Sequence, residues 1–349
     1  SGVGRNMVIN GGMNVAQRSA SVTGVGAASG YFTLDRWNFS EGDASAGRFT
    51  MSQTADGPNG ISANCLKLDC TTADTSIAAG EYALLRHFIE GQNLQRIGKG
   101  VAGAKEITVS FYVKANAAFT FGCEVFDADN SRQITKLFDT TTGWARHELT
   151  FPADVDDGSS PLDDDNASSM QINFWLHAGA TFTGGTLNTT SWANNTSANR
   201  AAGIDSFYSS TDNNFFITGV QMEVGPVATE FEQEDISTTL AKCLRYFQEL
   251  VSANGNSISN VTFYNTTEAY GSRTLNTEMR ANPTLTIPDG THFRVFTAGA
   301  GLVTTALAAG EISPKSVELQ STTATATAGN GGFMRANSTA ASIQLDAEL

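Results

Sequence analysis

The sequence predicts an all-β chain: a jelly-roll β-sandwich, one short helix, then a smaller β-rich C-terminal domain. Three observations carry this prediction. Apolar and polar residues alternate with period two over many short stretches, clusters of Gly, Asn, Asp and Ser separate those stretches, and only one segment has apolar residues at helical spacing.

The strands are justified in chain order. Alternation begins around Cys65, Leu66, Lys67 and Leu68, and is longest over 106–115. There Ile107, Val109, Phe111 and Val113 fall on one face, with Thr108, Ser110, Tyr112 and Lys114 on the other. Residues 119–128 form a third strand, ended by an Asp129-Asn130 turn, and 144–151 a fourth, ended by Pro152. In 169–178, Ile172, Phe174 and Leu176 share a phase that leaves Trp175 on the opposite face. In 214–225 the apolar parity shifts at Thr218-Gly219, which predicts a bulge or bend. Residues 234–251 place Ile236, Leu240, Cys243, Leu244, Phe247 and Val251 at helical spacing, with Asp235 as N-cap. Beyond it, 261–265, 284–288, 292–296, 316–320 and 342–349 are short strands separated by Thr/Ala/Gly tracts. The expected organisation is a sandwich over 1–232, a connecting helix over 233–253 and a β-rich domain over 254–349. The last of these has few large apolar residues, a thin core that oligomerisation would remedy.

Composition narrows the function. The 349 residues are 40% hydrophobic and include 21 Phe, too apolar for disorder. Charged residues make up 16%, below the usual ~25%, and Ser, Thr, Asn and Gly fill the gap, as on an extracellular-type surface. A net charge of −14 offers no basic field for nucleic acid or anionic lipid. No run is apolar enough for a membrane helix, and SGVGRNMVIN lacks the pattern of a signal peptide. A route outside the cell would then be a dedicated export system or release by lysis within a virus particle. Cys65, Cys70, Cys123 and Cys243 lack metal-finger spacing and read as buried thiols.

A set of motifs then points to a family. NMVINGGMNVAQR (6–18), YFTLDRW (31–37), EITVSFYVKAN (106–116), TGWARHELTFPAD (142–154), INFWLHAG (172–179), FFITGVQMEVGPVATEFE (215–232) and LAKCLRYFQEL (240–250) resemble, in matching order, a module of phage tail-fibre and related virion proteins. In 256–349 only MRANPT (279–284) and the terminal LDAEL match. The resemblance implies a jelly roll similar to carbohydrate-binding modules, carried as a homotrimer on a virion fibre or appendage, with other virion proteins as partners.

Sugar recognition needs an exposed ring with polar groups beside it. Tyr112 and Trp175 stand opposite their strands' apolar phase, and Trp192 and Tyr208 lie in Asn/Ser/Thr-rich stretches, so these four are the candidate glycan-binding residues. Trp37 and Trp144 read as core. The acidic run 154–166 offers Asp154, Asp156, Asp157 and Asp163 as oxygen ligands for a structural calcium, without the EF-hand pattern. The resemblance adds Asn10 or Glu223 as calcium ligands near the first and last strands; no other cofactor is expected. His87, His147, His177 and His292 occur without HExxH or GxSxG, so no catalytic residue is assigned and the chain reads as a non-enzyme. The expected function is non-catalytic: a phage virion fibre or appendage protein, located in the virion, that adheres to host surface glycans without inserting into membrane. Its rivals are a structural capsid-surface or tail-adaptor component and, third, a polysaccharide depolymerase.

Overall fold

A computed structural model of the chain describes residues 4–155 and 161–349. The fold is all-β and divides into two compact units, 1–239 and 240–348.

The strands of the first unit are β1 Ser21–Val25, β2 Gly30–Tyr31, β3 Asn38–Gly42, β4 Arg48–Thr54, β5 Cys65–Thr72, β6 Tyr82–Glu90, β7 Ile107–Ala115, β8 Thr120–Asp127, β9 Arg132–Asp139, β10 Ala145–Phe151, β11 Ser168–Ala178, β12 Ala193–Asn194 and β13 Asn214–Val224. They form two antiparallel sheets of a jelly-roll sandwich. One has the order β1-β4-β5-β13-β7-β10, the other β12-β9-β8-β11-β6-β3-β2. The alternation over 106–115 becomes β7, whose Ile107, Val109, Phe111 and Val113 are all buried. Rings from the two sheets interlock. Phe111 meets Phe138 and Phe174 edge to face at 4.9 and 5.0 Å, Phe49 meets Phe39 at 4.8 Å, and Phe121 meets Phe215 at 5.6 Å. Such edge-to-face pairs add to the area that the rings bury. Trp37 joins this core as expected.

Two glycines set local geometry. Gly219 adopts φ +61° where the β13–β7 register shifts between Thr218 and Gln221, the bulge that the parity change predicts. At Gly11, an added Cβ would lie 2.0 Å from the Val220 carbonyl oxygen, so only glycine lets the N-terminal segment lie against β13. Beside it, Asn10 ties a turn together. Its Oδ1 accepts from the amides of Asn14 and Val15, and its Nδ2 donates to the carbonyls of Val15 and Asp35.

The predicted connecting helix is shorter than expected. Asp235 does cap it, accepting from the Ser237 amide at 2.8 Å, but α2 covers only Ile236–Leu244. Ile236 and Leu240 are exposed, while Cys243 is buried. Phe247–Val251, expected to continue the helix, is a strand, β14, paired antiparallel with Ile343–Asp346. Phe247 and Val251 are four residues apart but also share a strand's parity, so both periods fit, and the ladder bonds decide. A second, four-residue helix, α1 (Ala180–Thr183), was not anticipated.

The second unit continues with β15 Ser257–Phe263, β16 Glu268–Thr274, β17 Thr284–Thr286, β18 Phe293–Thr297, β19 Ala300–Ile312, β20 Ser316–Thr323, β21 Gly331–Ala336 and β22 Ile343–Asp346. Six of these close a barrel, β15-β16-β20-β19-β18-β21, and β14-β22-β17 form a small sheet. Phe263, Phe293, Val295, Val317, Leu319 and Met334 are buried in this unit's own core.

Candidate functional site

The four aromatic residues singled out from sequence are not brought together. Tyr112 and Trp175 sit on different sheets, since β7 is flanked by β13 and β10 while β11 lies between β8 and β6. Tyr112 is half-buried on the outer face of the six-stranded sheet, with the Arg146 guanidinium 5.9 Å from its ring centre. Trp175 does point away from the sandwich core, but it is only 1% exposed. Tyr208 is equally buried, packed between Phe207 and His177, with the Cβ-free Gly47 against its ring. Trp192 is half-buried, its Nε1 donating to the Pro152 carbonyl at 2.9 Å and Lys99 Nζ lying 5.0 Å from its ring. Trp144, read as core, is instead half-exposed, donating to the Asp56 carbonyl at 3.0 Å.

The acidic run is likewise used differently. Asp154 is buried, its carboxylate held bidentately by Arg132 (2.9 and 2.8 Å) and contacted by Lys99 at 2.9 Å. Lys99 also pairs with buried Asp127, so the chain's own cations stand where a calcium was expected. Burial tends to raise the Asp154 carboxyl, but hydrogen bonds from Arg132 and Lys99 outweigh it and hold the group below the usual 3.8. Asp163 is exposed, its amide donating to Asp129 Oδ2 and its carbonyl accepting from Gln95. Asp156 and Asp157 lie outside the described residues. Asn10 serves the turn described above, and Glu223 accepts from the Thr229 amide and from Gln221 Nε2. All four cysteines are buried, with burial pushing the Cys70 thiol up to about 11.

The outer face of the seven-stranded sheet carries a polar–aromatic surface, where register aligns side chains in rows across β6, β11 and β8. One row is Phe88, Gln171 and Phe126, the next Arg86, Asn173 and Glu124, the third Leu84, Trp175 and Gly122. The first row is half-exposed throughout. Its two phenylalanines are two strand spacings apart, about 9.6 Å.

The middle row is a hydrogen-bonded network around Glu124, which is fully buried. Arg200 binds its two oxygens at 2.7 and 2.8 Å, and Asn173 Nδ2 and Trp175 Nε1 donate to Oε2 at 2.8 and 3.1 Å. Arg86 Nε donates to Asn173 Oδ1 at 2.8 Å, and burial lowers this arginine from its ordinary value. Arg200 also lies 4.8 Å from the Phe126 ring and 5.0 Å from that of Trp175.

The third row is sealed. Residues 179–205, including α1 and β12, fold back so that Phe182, Ala201 and Ile204 join Tyr82, Leu84 and Trp175 in a separate small core. This explains the burial of Trp175: its outward direction is right, but a segment distant in sequence covers it. The cap leaves the Phe88–Gln171–Phe126 row open and supplies Arg200 as its wall. These residues were missed because phenylalanines within apolar strands read as core. The outward parity of Tyr82, Leu84, Arg86 and Phe88 in β6 was the available signal.

No family model matches the chain, and no curated protein matches it. Among solved structures, similar folds include a family 4 carbohydrate-binding module (10% identity, TM-score 0.30, covering 62% of this chain and 99% of the module). Another is the CBM22-1 xylan-binding domain from Paenibacillus barcinonensis (11% identity, TM-score 0.27, covering 54% and 87%). A third is a family 11 module from Clostridium thermocellum in complex with a mixed-linked tetrasaccharide (13% identity, TM-score 0.28, covering 60% and 99%). Overlaps this loose transfer neither ligand nor site to this chain.

Proposed function

We propose that this chain is a non-catalytic carbohydrate-binding protein whose site is the open part of the seven-stranded sheet's outer face. The observation that carries this is the Phe88–Gln171–Phe126 row beside the Arg86–Asn173–Glu124–Arg200 network. Two half-exposed rings offer apolar faces for the C–H surfaces of sugar rings, spaced for two units of one chain. Gln171 between them has an amide that donates to and accepts from hydroxyls. The neighbouring network, already hydrogen-bonded, holds Arg86 and Arg200 in place before ligand arrives, which lowers the ordering cost of binding. No bond-breaking step is assigned to any of these groups.

The wider setting follows the sequence resemblance: a homotrimeric fibre or appendage of a phage particle, with weak single sites strengthened by three-fold multivalency on a host surface. Ile236 and Leu240 of α2 are exposed, and in such a trimer they would supply apolar contacts between copies.

A glycan array with the full chain tests the ligand, and Phe88→Ala, Phe126→Ala and Gln171→Ala test the site. Each variant should weaken binding at least tenfold with the melting profile preserved; glycan binding unchanged in all three would overturn the site. Release of reducing sugar from a bound polysaccharide would favour the depolymerase reading. Sedimentation of the chain and of Ile236→Ser/Leu240→Ser tests the trimer, and labelling of phage particles tests the location.

A further inference from the structure

We propose that Asp74, Glu81 and His177 form a binding site for a divalent transition metal such as Zn²⁺, independent of the sugar-binding face. The three come from separate parts of the first unit: Asp74 follows β5, Glu81 immediately precedes β6, and His177 lies near the end of β11. All three are buried, at 5%, 6% and 0% exposure, and one donor atom from each lies within 4.8 Å of the other two.

Two further observations point to a cation. The first is charge. The other buried carboxylates near the acidic run and the sugar face are matched by basic side chains: Asp127 by Lys99, Asp154 by Lys99 and Arg132, Glu124 by Arg200. Among the described residues neither Asp74 nor Glu81 pairs with a lysine or arginine; the one basic partner is His177, whose Nε2 lies 3.3 Å from Glu81 Oε2. Two buried carboxylates therefore share one imidazole as their basic partner, an excess of negative charge that a divalent cation would balance.

The second is geometry. His177 Nδ1 is 2.7 Å from Ser206 Oγ, the outer hydrogen bond by which a metal-binding imidazole is oriented. With the proton on Nδ1, the Nε2 lone pair faces Glu81. Ligand atoms in a tetrahedral shell with bonds of 2.0–2.1 Å stand about 3.3 Å apart, the spacing seen between Nε2 and Oε2. Asp74 is held in the same manner: Oδ2 accepts from Ser45 Oγ and the Ala46 amide, both at 2.8 Å, and Oδ1 from the Ser76 amide at 3.1 Å, with lone-pair capacity remaining. One nitrogen and two carboxylates suit Zn²⁺ or Co²⁺ better than Ca²⁺, which prefers six to eight oxygens. Buried as it is, the ion would be a clip joining the segment after β5 to β6 and β11.

The Ser206–His177–Glu81 chain also follows the order of a hydrolytic triad. Ser206 Oγ, however, accepts from the Tyr208 amide at 3.2 Å and caps the turn that it begins.

The test uses the full chain stripped with chelator, then titrated with ZnCl₂, CoCl₂ or CaCl₂. One Zn²⁺ per chain, a rise in melting temperature with Zn²⁺ but not Ca²⁺, and a visible Co²⁺ band are expected. Glu81→Gln and Asp74→Asn should weaken Zn²⁺ binding at least a hundredfold, and Ser206→Ala about tenfold. X-ray absorption of the zinc-loaded wild-type chain, which does not depend on any variant folding, should show nitrogen and oxygen but no sulfur ligands. Failure of the wild-type chain to retain Zn²⁺, sulfur in the shell, or unchanged affinity in both carboxylate variants would overturn the site.

Discussion

Trp175 on β11 and Phe126 on β8 leave the same face of the same sheet, yet the first is sealed and the second half-open. The sheet did not make this difference, because register and parity treat both alike. It comes from residues 179–205, which cover one row, form a small core with it and place Arg200 at the boundary between the Trp175 and Phe126 rings. Covered and open rows differ in what their residues do: rings in the covered row hold the cap to the sheet, while those in the open row remain available to something else. The network around Glu124 is the border, belonging to both.

Substitutions can break this comparison, beginning at the border. Glu124→Ala strips Arg200, Asn173 and Trp175 of their shared acceptor and leaves the half-buried Arg200 guanidinium without its carboxylate, and should lower unfolding free energy by about 3 kcal/mol in urea titration. Trp175→Ala, in the covered row, should cost about 3 kcal/mol, mostly as lost packing, and increase proteolysis within the cap. A loss below about 1 kcal/mol in either would mean that the cap is not held as described.

Asp154, near Trp192, gives a pH-resolved version. Its folded carboxyl titrates below the 3.8 of the unfolded chain, so above that value its full contribution is present. The contribution is lost as pH falls through the lowered folded value. Asp154→Asn should therefore flatten the acid limb of a stability–pH profile below pH 4 relative to wild type, as read by melts at stepped pH. The smallest effects on stability belong to the open row: Phe88→Ala and Phe126→Ala should each change it by less than about 1 kcal/mol while losing sugar affinity. A large loss of stability with no change in binding would reverse the comparison and make these rings structural.

Much of this was legible in the sequence. The inward set of β7 and the Gly219 bulge follow from period-two alternation and its interruption, both local signals. Even Trp175 was placed on the correct side of its strand. Its covering was not legible, because the cap is a Gly/Thr/Asn/Ser-rich segment with little periodicity, and its docking depends on contacts far apart in the chain. The barrel was partly hidden for a related reason. In β19 the inward positions include Thr304 as well as Leu307, so the apolar alternation is faint and the strand reads as a Thr/Ala/Gly tract. Over Phe247–Val251 the helical and strand periods coincide, and only the pairing with β22 separates them.

The margins of the sheets bear on how densely such chains can be crowded. The seven-stranded sheet ends in two-residue strands on both sides, β2 and β12. The six-stranded sheet ends at β10, which carries Arg146, His147 and Glu148, and at β1, whose register with β4 is broken between Val22 and Val25; the barrel closes on itself. Short, charged, irregular or absent edges of the two sandwich sheets and the barrel give a neighbouring chain little backbone on which to add a strand. Such margins disfavour strand addition between copies, and with it the seeding of fibrils, when the chain is concentrated.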